Sequence, residues 1–251
     1  TKAMEMVAAA KLRKAQERVE GARPYTTHVK AIISRLLQFA PNLVHPFLKE
    51  REEVKTKGYL VITSDRGLCG GYNSNLLRRA KDVVKNEEKD GIIALGRKGR
   101  DFFKNRNFEI QAEYIGLEDE PSWEEVRSIS RQAAGLFLND IYDELYIIYN
   151  EFINAMQHKP TIIKLLPLEP LTEIEEKEHN EPYKFEPSAK ETLDKLLPRY
   201  IDSLIFGALL EAKASEHGAR MTAMGSATKN ADEMIDKLTL FYNRARQASI
   251  T

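Results

Sequence analysis

The sequence predicts an α/β protein in which a long antiparallel coiled coil of the N- and C-terminal helices carries an inserted, mostly parallel five-stranded sheet. Three observations predict this fold. Residues 199–251 contain no proline and repeat apolar residues at coiled-coil spacing. Residues 1–39 carry a second narrow apolar stripe, and five short apolar runs between these ends alternate with helical stretches.

The C-terminal stretch predicts one very long helix. Its apolar and small residues alternate in steps of three and four, which holds one seam against a partner. At about 1.5 Å per residue, ~50 residues span roughly 75 Å, so we expect part of the helix to project from its domain. We also expect the first helix to cover the last part of this seam. That part comprises Ala231, Met234, Leu238, Phe241, Ala245 and Ala248.

The first helix has a stripe suited to one partner helix. Its small apolar residues step by four and three, and the positions between them are polar. Residues 1–35 contain eight basic and three acidic side chains. A solvated face is the simpler explanation of this excess, and a surface that runs past acidic partners is the alternative. Gly21 and Pro24 lie within the pattern and are possible local bends.

The middle of the chain predicts a doubly wound, Rossmann-like sheet. Apolar runs near residues 59–63, 91–96, 108–114, 145–149 and 161–166 alternate with helices, except between the last two runs. The fifth strand is therefore expected to pair antiparallel with its neighbour. Residues 167–187 predict an exposed acidic loop rich in proline and glutamate. Ser188 is expected to cap a short helix that Pro198 separates from the long one.

These elements divide the chain into three predicted parts. Residues 1–50 form the N-terminal coiled-coil helix, residues 55–187 the central α/β domain, which we call the foot domain, and residues 188–251 the C-terminal coiled-coil helix. The chain begins in helical sequence without a cap and ends without a stop signal. We therefore expect both terminal helices to be cut short in this sequence.

Composition excludes several classes of function. The 38 basic and 38 acidic side chains balance, which argues against a nucleic-acid-binding protein. Cys69 is the only cysteine, so the chain forms no internal disulfide, and a reducing compartment is indicated. Apolar runs of the length that spans a bilayer are absent from the sequence.

The glycine-bearing turn at residues 64–73 is the first candidate for chemistry. A strand, a glycine-rich turn and a helix can bind dinucleotide phosphates, but the glycine spacing here fits neither that fingerprint nor a phosphate loop. Close packing of the turn is the favoured explanation. Ser64, Asp65 and Cys69 follow a strand, yet the five histidines are scattered along the chain, which disfavours a nucleophilic enzyme and a zinc site. We expect no cofactor and no metal.

Four stretches together resemble a known family. They are TKAMEMVAAAK at the start, SDRGLCG at 64–70, SEHGARMTAM at 215–224 and YNRARQASIT at 242–251. Each is similar to a signature stretch of the gamma subunit of F-type ATP synthase, and the resemblance runs in order from the first residue to the last. The chain lacks the two-cysteine insertion of the plant-type subunit, since Cys69 stands alone, and the compact form resembles the bacterial type.

The resemblance implies a non-catalytic rotor shaft that couples proton flow through the membrane sector to ATP synthesis or hydrolysis. The implied partners are the alpha, beta and epsilon subunits and the membrane ring of c subunits. The implied location is peripheral, at the cytoplasmic face of the cell membrane. Arg246, Gln247 and Met4 would contact the alpha and beta subunits, and Tyr183, Phe185 and Glu186 in the acidic loop would face the c ring and epsilon.

Two other functions stay open on the residues alone. One is a nucleotide-binding α/β enzyme with a coiled-coil appendage, which direct nucleotide binding by the isolated chain would reveal. The other is a coiled-coil adaptor that does not rotate. Co-purification separates the adaptor from a rotor, because a rotor arrives with alpha and beta subunits in fixed excess.

Overall fold

The computed structural model describes residues 1–86, 89–169, 186 and 188–250. Their elements follow the predicted order. The helices are α1 (Lys2–Phe39), a 3₁₀ turn (Pro46–Leu48), α2 (Tyr72–Val83), α3 (Arg97–Lys104), α4 (Trp123–Leu138) and α5 (Ala189–Ile250). The strands are β1 (Lys57–Ile62), β2 (Gly91–Leu95), β3 (Glu109–Tyr114), β4 (Glu144–Asn154) and β5 (Gln157–Leu166).

The five strands form one sheet in the order β3-β2-β1-β4-β5. The first four run parallel, because helices α2 and α3 and then α4 return the chain across the sheet. Strand β5 follows β4 through a tight hairpin and pairs antiparallel, which confirms the prediction for the fifth strand. Within the described residues, no helix has the length and apolar character needed to cross a bilayer.

The parallel strands are buried on both faces, so alternate residues of each strand enter different cores. In β1, Leu60 and Ile62 join a core formed with α1, α4 and α5. Tyr59 and Val61 point to the other face and pack with residues of α2 and α3. The sheet is therefore covered by α2 and α3 on one side and by α4 and the two long terminal helices on the other.

Helices α1 and α5 pack as the predicted antiparallel pair. A side chain placed at Gly225 would contact Glu5, the Arg23 guanidinium lies 3.4 Å from the Glu211 carboxylate, and Leu12 shares a small core with Ala214. Positions thus descend along α5 as they ascend along α1. The narrow stripe predicted in α1 is the face that this pairing buries.

Helix α5 runs unbroken through Pro198, where the sequence predicted a short helix and a kink. Ser188 does supply the expected cap, because its hydroxyl oxygen accepts the Glu191 backbone N–H at 3.2 Å. Proline removes one helical hydrogen bond, but Leu197 before it and Ile201 after it are buried in the same core. Packing on both sides of Pro198 therefore holds one helix where local propensity favours two.

The last part of α5 extends beyond α1. Helix α1 begins at Lys2, beside the turn of α5 that contains Gly225, and residues 233–250 are exposed. Residue 1 lies at this level, so the expectation that the first helix covers the seam from Ala231 to Ala248 stays a prediction. The expectation that part of the helix projects is confirmed, and we call residues 229–250 the distal segment.

Gly96, after β2, and Gly116, after β3, both have a positive φ that favours glycine, but they differ in the space around them. Gly96 has φ +96, and a Cβ there would lie 2.2 Å from the Thr63 carbonyl oxygen. Gly116 has φ +77, but a Cβ on Gly116 would have no heavy atom within 4 Å. We expect Gly116→Ala to lower the free energy of unfolding by about 1–2 kcal/mol through backbone strain alone.

Gly96→Ala adds a steric clash to that strain, and we expect a loss of about 3 kcal/mol or more. Urea denaturation of the two variants measures the difference between these losses. Gly67→Ala is the control, because position 67 has neither a positive φ nor a neighbour that a Cβ would touch. Equal losses at Gly96 and Gly116 would show that the approach to Thr63 is not a constraint.

Candidate interaction surface

The distal segment exposes apolar side chains that a soluble helix normally buries. Met234, Leu238 and Phe241 are 66%, 68% and 74% exposed. They fall at spacings of four and three, so they form one continuous stripe along the helix. A stripe of this kind suits packing against another helix, which is either more of the first helix, as the sequence predicts, or a partner.

Arg246 and Gln247 lie together on this segment, and both are exposed. Met4 lies elsewhere, because α1 begins near Gly225 and about 20 residues of helix, or ~30 Å, separate that level from Arg246. Met4 is 48% exposed and lines a groove of about 710 Å³ between the two long helices and the turn at residues 65–68. The structure therefore places the three predicted contact residues at two separate levels of the shaft.

Of the three contact residues predicted in the acidic loop, one lies within the described residues. Tyr183 and Phe185 lie outside the described residues. Glu186 is described and exposed, just before α5 begins. The predicted contact of this loop with a membrane ring stays a prediction.

Helix α5 has two turns whose residues are all buried, at 200–203 and at 215–218, and the second is the one that the loops of the sheet domain contact through polar groups. Ser215, Glu216 and His217 are 2%, 7% and 3% exposed, and Gly218 is also buried. At 100° per residue, four consecutive positions point in all directions around a helix. An amphipathic helix buries only one face, so α5 is enclosed at this level. We call Ser215–Gly218, with the segments that contact it, the collar.

Three segments of the sheet domain enclose this turn. The Ser215 hydroxyl donates to the Asn150 carbonyl in β4 at 3.1 Å, and the Gly218 position lies against the Ala155 carbonyl in the β4–β5 hairpin. Arg220 pairs with Glu216 at 2.7 Å and donates to the Gly67 carbonyl at 3.4 Å. The third segment, residues 116–120, contacts His217.

Residues 116–120 bind both long helices through polar contacts. Asp119 accepts from Lys11 of α1 at 2.6 Å and from the His217 Nε2 of α5 at 3.0 Å. The Leu117 carbonyl accepts from Lys213 at 2.9 Å. One carboxylate therefore joins the two helices to the same strand-end loop.

Burial and nearby charges have opposite effects on the pKa of His217 and on the pKa of Asp119. Burial is the main cause that lowers the pKa of His217, against the Asp119 charge that raises it. Burial alone would raise the pKa of Asp119, but the hydrogen bond from Lys11 and the nearby cations outweigh it and lower that pKa. The His217 Nδ1 is buried and has no hydrogen-bond partner among the described residues. A second proton on this ring would be unpaired, which favours neutral His217.

The basic excess of α1 is partly used inside the molecule. Lys11 pairs with Asp119, Arg18 with Glu120, and Arg23 with Glu211. Sequence reasoning weighed a solvated face against acidic partners and did not consider the acidic run at residues 118–120. That run of three carboxylates beside a predicted strand end was the available signal.

The glycine-bearing turn packs against the shaft, as expected. Gly70 has φ +55 and lies against Ala223 of α5. The Asp65 carboxylate accepts the backbone N–H groups of Arg97 and Gly116, both at 2.9 Å, and so ties the ends of three strands together. The polar groups of this turn are thus occupied in holding loops.

The described side chains offer little for bond chemistry. Burial raises the pKa of the Cys69 thiol, which is the opposite of what a nucleophile requires. Ser64 donates its hydroxyl hydrogen to the Arg66 carbonyl at 2.6 Å. Within the described ranges, no group of three His, Cys, Asp or Glu residues could hold a metal ion.

Comparison with known proteins identifies relatives along the whole chain. A family model described as ATP synthase matches residues 1–251. The chain is 51% identical over 252 residues to the ATP synthase gamma chain of Desulfitobacterium hafniense, covering 100% of this chain and 88% of that one. It is 49% identical over 255 residues to the gamma chain of Brevibacillus brevis, with the same coverage.

Solved structures agree in fold. The chain resembles one from the central stalk and c ring of the Tetrahymena thermophila mitochondrial ATP synthase, with a TM-score of 0.70 and 27% identity over 90% of this chain and 98% of that one. A rotor chain of the Euglena gracilis mitochondrial ATP synthase has a TM-score of 0.62 at 18% identity, with 97% and 100% coverage. At that identity the second likeness concerns the fold.

The environment of His217 predicts acid sensitivity. A histidine whose folded pKa is lowered stabilises the fold above its unfolded pKa of 6.5, and this contribution is lost as pH falls below that value. We expect the free energy of unfolding to fall between about pH 7 and pH 5, and His217→Gln to reduce the slope.

Urea denaturation at stepped pH measures this slope. His28→Gln is the matched control, because His28 lies on the exposed side of α1 and, among the described residues, forms a hydrogen bond only with the Pro24 carbonyl of its own helix. An unchanged slope in His217→Gln would show that buried His217 does not resist protonation.

Proposed function

We infer that this chain, which belongs to the ATP synthase gamma family, is the central rotor shaft of an F-type ATP synthase and a non-catalytic subunit of that complex. Its rotation couples proton flow through the membrane sector to ATP synthesis, and ATP hydrolysis drives it in reverse. Family membership along the whole chain supports this function. The observation that carries the mechanism is helix α5, whose 62 unbroken residues extend well beyond the sheet domain.

The partners follow from this function. In the proposal, residues 1–50 and 188–251 form the shaft, which turns within a ring of alpha and beta subunits. Residues 55–187 form the foot domain, which sits beside epsilon and the c ring. The subunit is peripheral, at the cytoplasmic face of the cell membrane, and reaches the membrane through the c ring.

Two surfaces would make the contacts. Arg246 and Gln247 on the distal segment touch the alpha and beta subunits, and Met4 adds a second contact about 30 Å along the shaft. The acidic loop, with Tyr183, Phe185 and Glu186, faces the c ring and epsilon. The exposure of Arg246, Met4 and Glu186 supports these roles.

The mechanism requires no bond chemistry from this chain. An asymmetric shaft presents a different face to each beta subunit, so the three catalytic sites occupy different states at one moment. A contact shifts a site only through its different affinity for the open and closed states. The two helices have different sequences, so the shaft presents different side chains and charges on its different sides.

Co-expression with alpha, beta, epsilon and c subunits of a bacterial synthase tests the function. We expect the chain to purify with alpha and beta in fixed excess and to support ATP synthesis in vesicles that carry a proton gradient. A chain that purifies alone, or an assembly that forms equally well without it, would overturn the proposal.

The double variant Arg246→Ala, Gln247→Ala tests the assigned contact. Coupling between distant sites typically changes affinity by roughly 5–150-fold, so we expect ATP synthesis and hydrolysis to fall by roughly fivefold or more. Thermal unfolding of the isolated chain should not change, because both residues are exposed. Arg79→Ala, an exposed position on α2, is the control. Normal rates in the assembled double variant would contradict the contact.

A further inference from the structure

The collar has a role that the proposed function leaves unassigned. A rotor must pass torque between the foot domain and the distal segment, and α5 is the element that joins them. Below the collar, α5 lies in the core of the sheet domain, with Leu193, Leu197 and Ile205 buried. Above residue 228 the helix is largely exposed. The collar therefore lies near the last level at which the foot domain holds the shaft.

The contacts of the collar fix an angle as well as a position. Apolar packing is non-directional, whereas hydrogen bonds have preferred geometry. Ser215 and Arg220 donate to carbonyls of two different foot segments, and His217 donates to the carboxylate on a third. Rotation of α5 about its axis would break all three bonds. The enclosing segments lie on different sides of the helix, so rotation in either direction is opposed.

Gly218 makes the enclosure tight. A Cβ at this position would lie 2.7 Å from the Ala155 carbonyl oxygen, closer than real Cβ contacts occur. The hairpin backbone therefore rests on the helix backbone itself. Rotation would bring the side chain of a neighbouring position against this carbonyl, so shape as well as hydrogen bonding holds the angle.

Asp119 extends the hold to the other helix. Its carboxylate binds Lys11 of α1 and His217 of α5, so the two helices of the shaft are held to one loop of the foot domain. Asn150 connects the same level to the sheet, because its side chain donates to the Tyr72 carbonyl while its own carbonyl accepts from Ser215. The collar thus links α1, α5, the sheet and the start of α2.

We propose that the collar sets the angle between the foot domain and the distal segment and transmits torque between them, with Ser215, His217 and Asp119 as positioning residues. This proposal rests on the rotor function. The residues act through the shaft and touch no nucleotide. Their loss allows the foot domain to turn against the shaft, so ATP hydrolysis proceeds with less movement of the c ring.

The test compares proton pumping with ATP hydrolysis in inverted vesicles that contain the whole synthase. In the double variant Ser215→Ala, His217→Ala we expect protons pumped per ATP to fall by roughly twofold to fivefold, the effect of losing hydrogen bonds of ordinary strength. The rate of hydrolysis per assembled complex should fall less. His217→Gln keeps a donor toward Asp119 and should restore most of the ratio when Ser215 is present.

The control and the contrary outcomes separate this role from a structural one. Thr228→Ala removes a hydroxyl that bonds only to the Met224 carbonyl of its own helix, and its ratio should match the unaltered complex. An unchanged ratio in the double variant, or a proportional loss of pumping and hydrolysis, would overturn the proposal. If the double variant does not assemble, Ser215→Ala alone carries the same readout and the same criteria. An unaltered chain that does not join alpha and beta would instead refute the rotor function.

Discussion

The structure depends on a constraint at one turn of α5, where a helix passes through a domain and is enclosed on every side. Enclosure buries polar residues as well as apolar ones, and buried polar groups are stable only when they are paired. Ser215 pairs with a β4 carbonyl, Glu216 with an arginine and the Nε2 of His217 with a loop carboxylate, while the buried Nδ1 of His217 keeps that ring neutral. The sheet domain therefore supplies hydrogen-bond partners to the buried side chains of Ser215 and His217.

The charge pattern follows from the same enclosure. Asp119 forms an ion pair with Lys11 of α1 and a hydrogen bond with the neutral His217 of α5, so one carboxylate is held by two helices at once. Separate exposed ion pairs contribute little, but a shared carboxylate that is partly buried also fixes position. Arg18 and Glu120 add a second pair between α1 and the same loop. The basic excess of α1 is thus partly a complement to the sheet domain.

Periodicity predicted the elements well, because it reports which face of a segment is apolar. Alternating short runs predicted the five strands along the chain, though not their order in the sheet, and the missing helix between the last two predicted the antiparallel pairing. Periodicity does not report what covers a face. The apolar stripe from Ala231 to Ala248, for example, does not reveal whether another helix or a partner covers it. Local propensity predicts a break at Pro198, whereas the burial of Leu197 and Ile201 in one core keeps the helix continuous.

The collar escaped prediction for a different physical reason. Its four residues form no apolar face, so they read as a polar interruption of the coiled-coil stripe. Only tertiary structure brings Gly67, Asp119 and the β4–β5 hairpin to this level, each from a different part of the chain. An apolar stripe alone would let the shaft pair with another helix, but it would provide no directional contact to resist rotation against the sheet domain. The polar turn supplies the directional contacts that a stripe lacks, and this is the property that a subunit transmitting torque requires.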